Sequence, residues 1–225
     1  MKDEKIGLIL SHIFVRENEN FKFSILQKVI NLYKQSNIDF YYVLAGHGIE
    51  PNDEIKRHFD HIIWSQKIYE NEIGRGHPFF CIKAYEHIIE KNIKKTLKMR
   101  ACDYLDTNII NLNLNNDKIL ISEQYSKKLK YIGDLFLFGD TIKTHDIWTV
   151  MEWDYNKNGL NNLYKNCTHI AQKINIKTDK FLENNFQYIQ PESLKWITFE
   201  DHDFSKNEEP QLWGKNKNYE YYRSI

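Results

Sequence analysis

Three charged side chains lie close together near the end of a short apolar stretch that reads as a buried strand. Lys98 and Arg100 are cations, and Asp103 adds a carboxylate. Burying an unpaired charge costs several kcal/mol or more, so a core strand has no use for all three. The carboxyl end of a strand in an α/β sheet is where ligands bind, and there these groups suit an anionic ligand that arrives with a metal ion, such as a nucleoside diphosphate. The alternative is a structural ion pair between Arg100 and Asp103.

The composition predicts a folded globular protein, and the length allows one large domain or two small ones. The 225 residues are 41% hydrophobic and 14% aromatic, which excludes a disordered chain. Lys+Arg and Asp+Glu are both 31, and this balance argues against a nucleic-acid-binding protein. No apolar run approaches the roughly 20 residues needed to span a bilayer, and the first residues do not form a signal-peptide pattern. The three cysteines are widely spaced, so we expect reduced thiols in a cytoplasmic protein.

Strand-like and helix-like segments alternate along the first half of the chain. Each assignment rests on a buried apolar run for a strand or on apolar residues at helical spacing for a helix. The predicted elements are strand 6–10, helix 21–35, strand 39–44, short helix 53–59, strand 61–64, helix 79–91, strand 118–122 and a strand within 131–140. This alternation predicts an α/β fold, a mostly parallel sheet with right-handed crossovers and flanking helices. Without an internal repeat or a linker, we predict one domain over residues 1–225.

Polar residues follow the other predicted strands. Ser11 and His12 end the first strand, and Gly46 begins a glycine-containing turn after the second. Arg75 and His77 lie in a loop with two glycines directly before a predicted helix, whose N-terminus favours an anion. We expect all five residues near the bound ligand, although an ordinary turn or polar loop explains each of them equally well.

Two segments in this order resemble the WavE-type lipopolysaccharide-biosynthesis family, whose members look like GT-A glycosyltransferases. The segments are 98–104 and 132–140, and the family pattern is a Lys-x-Arg-Ser-Asp strand end followed later by Ile-Ser-Asp-aromatic-aromatic-x-Gly. The match covers roughly residues 6 to 150. The chain departs from the pattern at two places: one extra residue separates Arg100 from Asp103, and Gly133 stands where the family has serine.

The resemblance implies a GT-A-like single domain that transfers a sugar from a nucleotide-sugar donor to a glycan or lipid-linked saccharide. Residues 1–105 would bind the donor, and residues 106–225 would form the acceptor half and the tail. Asp103, or Asp106 after it, would bind Mn²⁺ or Mg²⁺, which prefer oxygen ligands, and His202 is a candidate to complete the metal shell. Lys98 and Arg100 would lie near the phosphates or hold the carboxylate. We expect Asp103 at the rim of the sheet, facing an open cleft.

The acceptor hydroxyl needs a general base if the reaction inverts the anomeric carbon, and a carboxylate suits this role. Asp134 is the first candidate because it lies in the resembling segment. Asp140 is the second, although it would also serve as a helix cap. Glu152 and Asp154 form a third option, and each of these carboxylates has a solvated or capping role as its alternative.

Two other functions compete with sugar transfer. A sugar-phosphate nucleotidyltransferase would place a glycine-rich loop with a lysine after the first strand, where this chain has Ser11 and His12. A non-catalytic carbohydrate-binding or assembly protein on the same frame agrees with the altered spacing between Arg100 and Asp103. A lipid-linked acceptor would bring the protein into peripheral contact with a membrane. The sequence leaves the donor sugar, the base, the stereochemical outcome and the oligomeric state open.

Overall fold

The structure, a computed structural model, describes residues 5–15, 20–65, 73–101, 103–122, 132, 136–149, 162–189 and 196–198. The strands in these residues are β1 (Ile6–Val15), β2 (Phe40–Gly48), β3 (His61–Ser65), β4 (Lys95–Arg100), β5 (Asp103–Leu105), β6 (Ile119–Ser122), β7 (Phe136–Asp140), β8 (Phe186–Ile189) and β9 (Trp196–Thr198). The helices are α1 (Asn20–Lys34), α2 (Asp53–Lys56), α3 (Ile73–Glu90), α4 (Thr107–Leu112), α5 (Thr141–Thr149), α6 (Asn162–Lys173) and α7 (Thr178–Asn185).

The main sheet has seven strands in the order β3-β2-β1-β4-β7-β6-β8, and β5 pairs with β9 in a two-stranded sheet. Strand β7 runs antiparallel to β4 and β6, whereas the other neighbouring strands of the main sheet are parallel. The chain places β2 and β3 on one side of β1 and then returns to place β4 on the other side. The predicted fold class, α/β with a mostly parallel sheet flanked by helices, is confirmed. Strands from both sides of residue 105 belong to the main sheet.

Apolar side chains cover both faces of the sheet because its strands are buried between helices. Helix α1 buries Ile25, Val29 and Tyr33 in the cluster on one face, at the i, i+4 spacing of an amphipathic helix. On the other face, α3 approaches β1 closely at Gly7, where a Cβ atom would lie 2.7 Å from the Ile88 side chain. The crossover helices therefore hold β1 and β4, the two central parallel strands, from opposite sides.

Several predicted boundaries are wrong. Strands β1 and β2 continue past the predicted ends, and β2 includes the residues 46–48 that were predicted to form a turn. Helix α3 begins at Ile73, so residues 74–78 are helical and do not form the predicted loop. Pro78 lacks an N–H to donate within this helix. The apolar face of α3 packs on the sheet nevertheless, and this tertiary contact outweighs the local preference of glycine and proline.

Candidate functional site

The strand order reverses between β1 and β4, and Ser11 of β1 lies directly opposite Arg100 at the carboxyl end of β4, where the pairing of these two strands ends although β1 continues to Val15. The buried Ser11 hydroxyl donates a hydrogen bond to the Met99 carbonyl oxygen at 3.2 Å. In return, the Ala101 N–H donates to the Ser11 carbonyl oxygen at 2.8 Å. In open α/β sheets, ligands bind outside the carboxyl ends of the strands where the order reverses. Ser11 and Arg100 therefore mark the candidate site.

An irregularity in β1 lies at the same place. The pairing of β1 with β2 shifts register between Leu10 and Ile13, so that Ser11 and His12 fall within the shifted stretch. Such bulges bend a strand and are over-represented next to active sites. The side chain of His12 lies outside the described residues, and its predicted contact with the ligand stays a prediction.

Asp103 lies just beyond β4, near the predicted rim, but its side chain does not face an open cleft. It is only 2% exposed, and its backbone pairs with Thr198 of β9 in the two-stranded sheet. The expectation of an open cleft is therefore wrong. Leu105, two residues later, points into the same core because alternate residues of a strand share a face.

Tyr33 of α1 holds β5 in this position. Its hydroxyl oxygen accepts a hydrogen bond from the Leu105 N–H at 3.1 Å, and its ring lies 4.8 Å from that of Tyr104. Burial raises the pKa of Tyr33 well above its ordinary value, and the charge of the nearby Asp103 raises it further. The phenol therefore stays neutral and links α1 to the strand that carries Asp103.

Lys98 was predicted to lie at the end of β4, but it lies in the buried middle of this strand. It is fully buried, opposite Ile9 of β1 and Leu137 of β7. Its Nζ atom lies 5.5 Å from the centre of the Trp148 ring, in the geometry of a cation–π contact. Of the two predicted cations, Arg100 is the one at the carboxyl edge.

The carboxyl end of β2 contributes His47, a residue that was not predicted from the sequence. His47 is 5% exposed, and its ring stacks on that of Phe80 in α3 at a centroid distance of 5.7 Å. Residues 46–48 were predicted to form a turn, so His47 was not considered as a site residue. A strand that continues through these residues would have placed His47 at the carboxyl edge of the sheet. Gly46 is buried and pairs with Ile13 and Trp64, so it serves as strand backbone.

The remaining predicted residues are placed as follows. Arg75 and His77 belong to the first turns of α3, and their side chains lie outside the described residues. Asp134, His202, Glu152 and Asp154 also lie outside them, so their predicted roles stay predictions.

Asp140 lies at the opposite edge of the sheet from Ser11 and Arg100. Because β7 is antiparallel, Asp140 at its end pairs with Lys95 at the start of β4. Its Oδ1 atom accepts a hydrogen bond from the Lys143 N–H at 2.9 Å, the contact of a helix N-cap. Asp140 therefore serves as the helix cap that was the alternative to its catalytic role. Its position at the opposite edge of the sheet argues against a role as the general base.

The described residues do not supply a complete metal site. Among them, no three histidine, cysteine, aspartate or glutamate side chains are grouped so that they could hold a metal ion. Asp103 offers one buried carboxylate, and Asp106, the alternative ligand, caps α4, its Oδ1 atom accepting a hydrogen bond from the Asn108 N–H at 2.8 Å. The third predicted ligand, His202, lies outside the described residues. We therefore derive no reaction step through a metal. Within the same residues, no helix is long and apolar enough to cross a membrane.

Comparison with known proteins finds similarity in structure only. No protein-family model matches the chain, and no curated protein matches it by sequence. One similar structure is of a protein named as a nucleotide-diphospho-sugar transferase from Desulfovibrio desulfuricans G20, with 8% identity, 84% of this chain and 80% of that chain covered, and a TM-score of 0.46. Another is of a glycosyltransferase involved in glycosylation of the major capsid of PBCV-1, with 14% identity, coverage of 83% and 82%, and a TM-score of 0.47.

At such identities and TM-scores these similarities identify neither a reaction nor a fold family, and one fold hosts many chemistries. The GT-A-like part of the predicted fold class stays a prediction. The resemblance to the WavE-type family stays a prediction. A proposal about function therefore has to rest on the residues of this chain.

Proposed function

We propose that the protein is a glycosyltransferase that binds a nucleotide-sugar at the carboxyl edge of β1 and β4 and passes the sugar to a saccharide acceptor. The observation that carries the proposal is the pairing of Ser11 with Arg100 where the strand order reverses. A guanidinium at this edge suits a diphosphate, because its N–H groups bind two phosphate oxygens at once. As the sugar leaves, negative charge gathers on the diphosphate, and a positioned cation stabilises it.

Each part of the described edge has a role in this proposal. Arg100 binds the diphosphate and stabilises the leaving group. The Ser11 hydroxyl is already used on Met99, so Ser11 joins β1 to β4 and positions Arg100. Lys98 supports the same strand from within the core through its contact with Trp148. Asp134 remains the proposed general base, and dependence on Mn²⁺ or Mg²⁺ is left to the experiment.

The experiment measures the melting temperature of the full chain with UDP, GDP or TDP, each with and without Mn²⁺. A ligand at one hundred times its Kd adds about 2.7 kcal/mol to the free energy of unfolding. For a domain of this size, this raises the melting temperature by roughly 5–10 °C. A panel of nucleotide-sugars then tests for donor hydrolysis, since transfer to water releases the same nucleoside diphosphate.

Arg100→Gln is the decisive variant, and Arg57→Gln is its matched control because Arg57 is exposed beside α2. Losing hydrogen bonds from a charged donor costs about 1.5–3 kcal/mol, so Arg100→Gln should weaken nucleotide binding about 10- to 100-fold. Arg57→Gln should bind like the unaltered chain. If no nucleotide raises the melting temperature, or if both variants lose binding equally, the proposal is wrong.

The burial of Asp103 favours a second candidate function, a non-catalytic protein that binds a nucleotide or a carbohydrate on this frame. An aspartate that is 2% exposed is poorly placed to bind a metal ion beside a diphosphate. The two functions differ in turnover. If a nucleotide binds through Arg100 but no nucleotide-sugar in the panel is hydrolysed or used for transfer, the function is that of the non-catalytic binding protein.

A further inference from the structure

A groove lies between the edge strand β3 and helix α3, separated from the Ser11–Arg100 pair by β2. Its volume is about 480 Å³, within the roughly 300–1,000 Å³ of small-molecule sites. Phe79 and Phe80 line it with aromatic rings. Trp64 also borders the groove, but its side chain packs against the apolar cluster on the other face of the sheet. No function was predicted for these residues from the sequence.

The aromatic part of the groove is held in place and partly open to solvent. Phe79 is 54% exposed, and its ring lies 5.4 Å from that of the buried Phe80 in an edge-to-face contact. The Phe80 ring also stacks on that of the buried His47 at a centroid distance of 5.7 Å, which holds the aromatic pair in place. A fixed, exposed ring offers contact area to a ligand with little loss of side-chain entropy.

Two stacked histidines form another part of the lining. The His61 and His87 rings lie 3.6 Å apart and nearly parallel, and the Tyr41 hydroxyl is 3.0 Å from His87 Nε2. Burial lowers the pKa of His87, and the neighbouring His61 lowers it further. At neutral pH His87 is therefore an uncharged imidazole, a group that offers hydrogen bonds without a positive charge.

The charges in the lining disfavour an anion. The described ionisable groups there, besides the histidines, are Lys83, Glu86 and Glu90. Lys83 is in an ion pair with Glu86 at 2.6 Å, and the Glu90 side chain is 75% exposed. A phosphate or an acidic lipid headgroup would meet two carboxylates and an ammonium that already has a partner. A wholly apolar ligand would leave these groups and the imidazoles facing apolar surface, which is unfavourable.

We propose that this groove binds a neutral saccharide chain. A sugar ring has apolar C–H faces, one of which would pack on Phe79, and hydroxyl groups along its edge. The Glu90 carboxylate and the Nδ1 atom of His87, which lie 3.9 Å apart, would exchange hydrogen bonds with those hydroxyls, while Nε2 of His87 keeps its contact with Tyr41. The proposal does not depend on sugar transfer, because the groove is separate from the Ser11–Arg100 edge.

Saturation-transfer NMR on the full chain tests the groove with maltotriose, cellotriose and mannotriose as probes. Phe79→Ala is the main variant, and its exposure makes loss of folding unexpected. Truncating an anchoring aromatic side chain costs more than 1 kcal/mol in many interfaces, so binding should weaken about tenfold. Phe79→Tyr keeps a ring and should keep the binding. Ile142→Ala removes a similarly exposed apolar side chain, 58% exposed, from α5 and should change nothing.

The proposal is supported if at least one trisaccharide binds the unaltered chain, binds Phe79→Ala more weakly, and binds Phe79→Tyr and Ile142→Ala as well as before. If no trisaccharide binds, or if Phe79→Ala binds as well as the unaltered chain, the proposal is overturned. The nucleotide-induced rise in melting temperature is measured on the same variants. It should be unchanged in Phe79→Ala, so a failure of the groove and a failure of the nucleotide site are distinguishable.

Discussion

Tyr33→Phe tests whether α1 holds β5, the strand that carries Asp103, in place. The variant keeps the ring that packs on Phe40 and Tyr104 and removes only the hydroxyl that accepts the Leu105 N–H at 3.1 Å. Leu105 is fully buried, so its N–H would lose this acceptor without gaining water. Leaving a buried donor unsatisfied costs about 1–3 kcal/mol. We therefore expect the free energy of unfolding to fall by about 2 kcal/mol.

Thermal and urea denaturation measure this loss. For a domain of 225 residues, about 2 kcal/mol corresponds to a fall in melting temperature of roughly 4–8 °C. Tyr42→Phe is the matched control, because it removes the same atom from a half-buried tyrosine, and it should change stability by no more than about 0.5 kcal/mol. Hydrogen exchange at the Leu105 amide should also become faster in Tyr33→Phe. The role of the Tyr33 hydroxyl is refuted if Tyr33→Phe is as stable as Tyr42→Phe and the Leu105 amide keeps its protection.

Three shorter predictions concern other parts of the fold. Asp140→Ala removes the cap of α5 and should cost about 1 kcal/mol in thermal denaturation, while nucleotide binding stays unchanged. Thr141→Val should cost about 1–3 kcal/mol, because the buried Thr96 hydroxyl, 2.8 Å from that of Thr141, loses its acceptor. Burial and the stacked His61 lower the pKa of His87. The unfolded chain therefore binds more protons near and below about pH 6.5, and the free energy of unfolding decreases as the pH is lowered. His87→Gln should make this fall shallower in urea denaturation between pH 7.5 and 5.

Clear results would contradict each of these three. A loss of nucleotide binding in Asp140→Ala would return that carboxylate to the site. Thr141→Ser keeps the hydroxyl, so equal losses in the valine and serine variants would show that the hydrogen bonds are not the cause. An unchanged slope of stability against pH in His87→Gln would mean that His87 does not set the pH dependence. His145→Gln, in α5, is the control for removing a histidine elsewhere.

The sequence predicts the parallel part of the fold well because local patterns and the tertiary structure agree there. The apolar run that begins at Ile6 forms β1, and the helical spacing between Phe21 and Gln35 forms α1 within one residue at each end. Agreement fails where tertiary packing opposes local preference, as in α3, whose first turns contain two glycines and Pro78. The region after Ile176 has weak periodicity, and α7, β8 and β9 were not predicted there because strands as short as Trp196–Thr198 carry little pattern.

The candidate site was predicted in outline and misplaced in detail. The carboxyl end of β4 was recognised from its charges, and Arg100 and Ser11 do meet there. Side-chain alternation puts Lys98 on the same face of β4 as Arg100, but it cannot show that α5 covers Lys98 with Trp148. The strand β9, with which Asp103 pairs, comes from a distant part of the chain. No local pattern contains that information.

The pairing of Asp103 with Thr198 also bears on how the chain reaches its final form. These two residues lie far apart in the sequence, so the small sheet closes only after most of the polypeptide has emerged from the ribosome. Contacts between such distant segments form late and slowly, because a large loop must first be closed. A shortened chain that stops before β9 would therefore lack the strand that pairs with Asp103, even with all the parallel strands β1 to β4 in place.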